Sequence, residues 1–196
     1  MATEYESELE KYNVGNPLMR LVLQKYAKDI CSTLKNLPHE SILDAGCGTG
    51  FLMKEIHDSV QSKITGVDIL PKSIAHAKKL CPKCSFHRAS LYHLPFKANS
   101  FDAVLCSEVL EHLDDPKKAL AGLKRVAKDY CIVCVPYEPF FSIANILRLK
   151  YLRNWGNYPG HIHKWGRKGF RKLLEGHFSK VKISASSFWL IGVCKK

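Results

Sequence analysis

The stretch Ile42-Leu43-Asp44-Ala45-Gly46-Cys47-Gly48-Thr49-Gly50 constrains the fold more than any other part of the chain. Two apolar β-formers and an acid lead into glycine at alternate positions, and the pattern that follows, Phe51-Leu52-Met53-Lys54-Glu55-Ile56, is helical. It reads as strand, tight turn, helix. Glycine at the carboxyl end of a parallel strand adopts positive φ at little cost and lets a ligand approach the backbone, because no Cβ intervenes. The dinucleotide fingerprint G-x-G-x-x-G needs glycine at position 51, where Phe51 stands, so a pyrophosphate cradle is disfavoured.

The rest of the chain repeats the alternation. A charged segment over residues 4–11 predicts a loosely held helix or tail, and Pro17 opens a helix in which Leu18, Leu21, Val22, Ile30 and Leu34 recur near helical spacing. A second strand, Ile64-Thr65-Gly66-Val67, ends in Asp68, and Pro71 starts the next helix, which runs to Cys81-Pro82. Ser85-Phe86-His87-Arg88 and Ala103-Val104-Leu105-Cys106 read as the third and fourth strands, with a helix expected to begin beyond Ser107. A helix over residues 116–127 and a fifth strand over residues 130–135 follow. Near the C-terminus, a helix through Phe170, Leu173, Leu174 and His177 precedes a hairpin of residues 181–184 with 188–194. Strands alternating with helices predict an α/β, doubly wound parallel sheet with right-handed crossovers, closed by an antiparallel C-terminal hairpin. Ligands of such sheets bind where the strand order reverses.

An acid that closes the second strand can accept hydrogen bonds from both hydroxyls of a ribose, each a charge-assisted bond of about 1.5–3 kcal/mol. Asp44, one turn away, suits a cationic ligand. With these acids, the apolar-apolar-acid-x-G-x-G-x-G run resembles the first motif of the class I S-adenosylmethionine-dependent methyltransferases of the type 11-like group. The resemblance covers residues 38–136 and implies a Rossmann-like methyltransferase sheet that binds S-adenosyl-L-methionine. It implies a cofactor shell of Asp44, Gly46, Cys47, Gly48, Gly50, Asp68, Ile69, Ser90, Leu91 and Cys106. The run from Ser90 through Leu94-Pro95-Phe96 to Phe101-Asp102 is similar to the family's acid-x-x-x-L-P-F-x-x-x-x-F-D stretch. Ser90 departs from it, standing where many members carry an acid that meets the adenine amino group. Adenine recognition then falls to its hydroxyl and to the Leu91 amide.

At 196 residues the chain suits one domain: a helical segment to residue 37, the cofactor core over 38–136, a substrate-side insertion over 137–165 and a closing helix and hairpin over 166–196. No apolar run reaches membrane-spanning length and the first residues are acidic, so a cytoplasmic location is expected. Net charge is +12, and its distribution is uneven. Residues 1–120 hold 15 basic and 15 acidic side chains, whereas residues 121–196 hold 15 and 3. That asymmetry suits either an anionic partner, such as RNA, an acidic substrate or a membrane surface, or a solvated basic face.

Eight cysteines include two C-x-x-C pairs. Cys131 and Cys134 lie in a strand, where positions three apart face opposite ways, so they cannot share a metal. The looped pair Cys81 and Cys84 leaves metal binding or local oxidation open. The remaining cysteines sit in apolar runs or the glycine turn and read as small core residues of a reduced compartment.

Glu108-Val109-Leu110-Glu111-His112 places two carboxylates and an imidazole at i, i+3 and i+4, one face of any helix they begin. E-x-x-E-H with a later histidine is similar to the ubiquinone-biosynthesis O-methyltransferases and to the small-RNA 2′-O-methyltransferases, and this resemblance implies a divalent metal ion. The expected ligands are Glu108, Glu111, His112 and His163, with His161 the alternative loop histidine. A metal-free reading makes His112, His161 or His163 a general base. A third makes the acids helix-capping residues and His112 a packing residue. The expected activity is methyl transfer to oxygen of a small aromatic or isoprenoid-linked acceptor. RNA methylation through the basic C-terminal part is the second expectation, and a non-catalytic cofactor-binding partner protein the third.

Overall fold

The computed structural model describes residues 17–196, so the segment over residues 4–11 lies outside the described residues. Helix α1 (Pro17–Lys35) buries Leu23, Tyr26, Ala27, Ile30 and Leu34, steps of three and four that make one face. Strand β1 (Ser41–Ala45) leads through the glycine turn into α2 (Phe51–Ser59). Then come β2 (Lys63–Asp68), α3 (Pro71–Leu80), β3 (Ser85–Arg88) and β4 (Phe101–Ser107). Helix α4 (Pro116–Val126) precedes β5 (Ala127–Pro136), and the insertion contributes α5 (Phe140–Leu147). Helix α6 (Arg167–Glu175) and the hairpin β6 (Lys180–Ser186) and β7 (Trp189–Lys195) complete the described chain.

The described residues form a seven-stranded sheet in the order β3-β2-β1-β4-β5-β7-β6. The first five strands pair parallel, and β7 runs antiparallel to both β5 and β6, as the sequence pattern predicts. The order reverses between β1 and β4. Because successive side chains of a strand alternate faces, neighbouring apolar residues feed different cores. Leu43, Val104 and Val133 pack with Leu120, Leu123 and Phe170 on one face. Ile42, Leu105 and Ile132 pack with Ile30, Met53 and Ile56 on the other. Cys131 and Cys134 divide between the same two cores, so their thiols face apart.

The helix expected beyond Ser107 does not form. Glu108 adopts φ +56°, and its N–H donates to the Cys134 carbonyl at 2.9 Å, which extends the sheet by one residue. Only a single 3₁₀ turn, Leu110–His112, fits before Asp115 caps α4 by accepting from the Lys118 amide. Glu108 and Glu111 therefore do not share a helical face.

Asp102 ties the entry of β1 to β4 and β5. It accepts from the Lys128 ammonium, the Ser41 hydroxyl and the Glu40 and Ser41 amides, and these donors, Lys128 first, hold its carboxyl well below the usual carboxylate range. Lys128 is about half exposed, so solvent screens its share and the Ser41 and backbone donors carry more of the stabilisation. A depressed folded-state pKa stabilises above the unfolded value of about 3.9, and the benefit fades as pH falls below it. Asp102→Asn should cost about 1–3 kcal/mol in urea unfolding at pH 7. The gap from the parent should narrow as the pH is lowered from about 5 toward 3.

Candidate functional site

The glycine turn is built as its spacing requires. Gly46, Gly48 and Gly50 have φ of +84°, +50° and +87°, a region that L side chains rarely adopt. The carbonyl of Val67, at the end of β2, accepts from the Gly46 amide at 2.7 Å and the Cys47 amide at 2.9 Å. Asp68 follows directly. Its carboxylate accepts from the Gly48 amide at 3.0 Å and the Leu70 amide at 2.8 Å. Burial raises the Asp68 carboxyl, and these backbone donors oppose the rise. Asp44, 2% exposed, is the penultimate residue of β1.

Above the switch point opens a cleft of about 480 Å³, within the range of small-molecule sites. Asp44, Gly46, Cys47, Gly48, Asp68, Ile69, Ser90 and Leu91 all line it. Two expected residues do not. Gly50 instead sets the helix packing, since a Cβ there would meet Ala77 at 2.8 Å. Cys106, 1% exposed, points into the core from β4, because the alternation that buries it sends the next residue, Ser107, to the cleft. The Ser107 hydroxyl lies 2.6 Å from the Tyr26 hydroxyl, and Tyr26 stacks on Trp189 with ring centroids 4.4 Å apart. Helix α1 and strand β7 thus share the floor of the cleft. Tyr26 sits at a core spacing in α1, so its hydroxyl gives no sequence signal. Burial pushes that phenol up.

The opposite end of the cleft is made by the 3₁₀ turn and the insertion. The Glu111 carbonyl accepts from the amides of Ile162 at 2.9 Å and His163 at 3.2 Å, pinning the loop over the turn. His112 Nδ1 donates to the Gly160 carbonyl at 2.8 Å, which orients the ring. The His112 and His161 rings lie 4.9 Å apart. One ligand-type atom from each of Glu111, His112 and His161 falls within 4.8 Å of the others, with Glu111 fully buried. The structure therefore brings together two of the four expected metal residues and substitutes His161 for His163. His163 turns away: its Nε2 donates to the Leu113 carbonyl at 2.9 Å and its ring stacks on Trp165. Glu108 lines the cleft but stays outside the cluster.

Helix α5 supplies the outer wall, and its polarity is inverted. Ser142 and Asn145 are its buried residues: the Ser142 hydroxyl donates to Glu138 at 2.7 Å, and the Asn145 amide donates to the Gly156 carbonyl at 2.9 Å. Phe140, Ile143, Ile146 and Leu147 are exposed, Leu147 by 80%, and Leu149, Leu152 and Trp155 after the helix are exposed as well.

The comparisons with known proteins converge on one chemistry. The methyltransferase-domain family matches residues 43–135. A ubiquinone biosynthesis O-methyltransferase of Hahella chejuensis is 34% identical over 178 residues, 87% of this chain and 69% of that protein. An uncharacterized methyltransferase of Schizosaccharomyces pombe is 37% identical over 107 residues, and the matched part spans 48% of this chain and 38% of that protein. Magnesium protoporphyrin IX methyltransferase from Synechocystis PCC 6803, solved with S-adenosylhomocysteine bound, shares the fold at a TM-score of 0.72 and 19% identity, covering 98% of this chain and 93% of its own. The methyltransferase domain of bacterial CtHen1-C does so at 0.72 and 22%, covering 89% and 98%. This chain belongs to the S-adenosylmethionine-dependent methyltransferases.

The geometry at Asp68 yields a sharp expectation. Its carboxylate holds the turn and faces the cleft, so Asp68→Ala should raise the dissociation constant for S-adenosylhomocysteine by about 100-fold or more, two charge-assisted bonds being lost. Calorimetry measures this. Unchanged affinity would place the ribose elsewhere.

Proposed function

We propose that the chain methylates an oxygen of a lipophilic small molecule, an aromatic or isoprenoid-linked acceptor. The observation that carries this is the apolar character of α5: it lends Phe141 and Ala144 to the lining of the cleft, and outside the cleft it leaves Phe140, Ile143, Ile146 and Leu147 exposed. An apolar tail gains from such a surface at roughly 25 cal/mol per Å² removed from water. The likeness to the Hahella O-methyltransferase across most of the chain supports the same acceptor class.

In this reading Asp68, Gly46, Gly48, Ser90 and Leu91 hold the adenosine half of S-adenosylmethionine, and Asp44 faces its cationic half. The acceptor oxygen attacks the methyl carbon in line as the carbon–sulfur bond breaks, and the sulfur keeps the electron pair. The acceptor proton passes to an imidazole, His112 Nε2 or His161, which both reach the cleft. The sulfonium is already a strong electrophile, so alignment by the cleft walls supplies much of the rate.

Glu111, His112 and His161 also fit a divalent cation, since a carboxylate and two imidazoles converge and a backbone carbonyl already orients His112. Such an ion, when bound, lowers the pKa of an acceptor hydroxyl. His163 falls to the support of the loop in this assignment.

The second reading, RNA methylation, rests on Arg148, Lys150, Arg153 and Lys164, which are exposed, as is Trp155. Transfer of radiolabelled methyl from the cofactor into fractionated cell extract separates the readings. Label is expected in the organic-extractable fraction; label in RNA would overturn the proposal, and no label at all would favour a partner protein that only binds the cofactor. With the acceptor in hand, His161→Ala and Glu111→Gln should each lower kcat by about 100-fold while leaving S-adenosylhomocysteine affinity unchanged. Chelator treatment should do the same to the parent, with recovery on adding a divalent ion. Turnover indifferent to chelator, with both variants impaired, would leave the histidines as metal-free bases.

A further inference from the structure

A second cluster lies at the other end of the sheet. The cofactor cleft occupies the carboxyl ends of the strands, whereas the last turn of α2 and the connection from α3 to β3 sit at their amino ends. There His57, Cys81 and Cys84 bring one ligand-type atom each within 4.8 Å of one another. Cys81 is buried at the end of α3, its amide donating to the Ala77 carbonyl at 2.8 Å. Three residues on, the Cys84 amide donates to the Cys81 carbonyl at 3.1 Å, and this tight turn directs both thiols toward α2. Asp58 Oδ1 stands 3.3 Å from His57 Nδ1, and the Lys54 ammonium pairs with the other oxygen of the same carboxylate.

We propose that His57, Cys81 and Cys84 form a binding site for a thiophilic divalent cation of the zinc class, separate from the methyl-transfer centre. Donor chemistry argues for it: two thiolates and an imidazole select borderline-soft ions, whereas the carboxylate and imidazoles at Glu111 suit a wider range. Size agrees. Zinc–sulfur and zinc–nitrogen bonds in a tetrahedron hold their ligand atoms about 3.5–3.8 Å apart, so a side-chain adjustment of about an ångström closes the site. The carboxylate beside His57 supplies the orienting partner that metal-bound imidazoles usually have. Cys84 and His57 are half-buried, which gives the ion a path in, and a fourth position remains for water. The two thiols lose their protons to solvent as the ion binds.

Such an ion joins α2 to the α3–β3 connection, so it clamps the half of the sheet that carries Asp68 without touching the cofactor. The test uses the reduced, metal-free full chain titrated with cobalt(II), read by the thiolate-to-metal charge-transfer absorption that a site of oxygen and nitrogen ligands alone does not give. One equivalent should bind with this band, zinc should displace it, and Glu111→Gln should leave it intact. Cys84→Ser and His57→Ala should each weaken binding by about tenfold or more. At a hundredfold excess over its Kd, zinc should raise the parent's Tm by roughly 5–10 °C, and the same zinc concentration should raise it by about half as much or less in either variant. Should Cys84→Ser fold poorly, zinc protection of the Cys84 thiol from alkylation in the parent gives the same answer. Absence of the band with both thiols reduced, or a band that survives both substitutions, would overturn the proposal.

Discussion

The grip of the second strand's end on the first strand's turn is the contact on which the site depends. Val67 and Asp68 together accept the Gly46, Cys47 and Gly48 amides, three donors that a helix start and a strand end would otherwise leave to solvent. The turn can take this shape only because its glycines adopt positive φ; at Gly46 a Cβ would also collide with Val109. One interaction thereby fixes the glycine turn that lines the cleft, the direction of α2 and the placement of an acid at the end of β2. The cost is a buried carboxylate whose burial works against its charge. The Gly48 and Leu70 amides that donate to it offset part of that cost.

A second anchor, the Glu111 carbonyl, does for the insertion what Val67 does for the glycine turn. By receiving two amides of the insertion it sets where His161 and His163 point, and the two histidines, one residue apart from the same neighbour, end in opposite roles. His161 meets His112, Phe141 and Tyr158 in an aromatic cluster at the cleft, and His163 lies flat on Trp165. This end of the cleft is thus held by backbone contacts of one short turn.

What the sequence made legible follows from locality. The glycine turn, the acid ending β2 and the apolar alternation of the strands are set by neighbours within a few residues, and each stands where its spacing predicts. The readings that failed concern a residue's direction, or contacts between distant segments. Cys106 and Ser107 are adjacent, and only the pleat of β4 decides which of them reaches the cleft. Glu108 was paired with Glu111 by helical spacing, but the sheet captured its amide through Cys134, a partner that lies 26 positions away in the chain. His57 carries no motif at all; it joins Cys81 and Cys84 only because α2 and α3 lie side by side.

The charge asymmetry divides in the same way. Strand β6 is an open edge of the sheet, and Lys180 and Lys182 are exposed along it, where like charge opposes pairing with another chain. Arg167 and Arg171 donate to the carbonyls of Ile183 and Val181, so their charge serves the packing of α6 on that edge. This part of the basic excess has a structural cause and implies no anionic partner. The excess around α5 has no such internal task for Arg153 and Lys164, which are exposed beside Trp155 and Ile162. The net charge of the whole chain conceals this difference, because it adds a guarded sheet edge to exposed basic residues around α5.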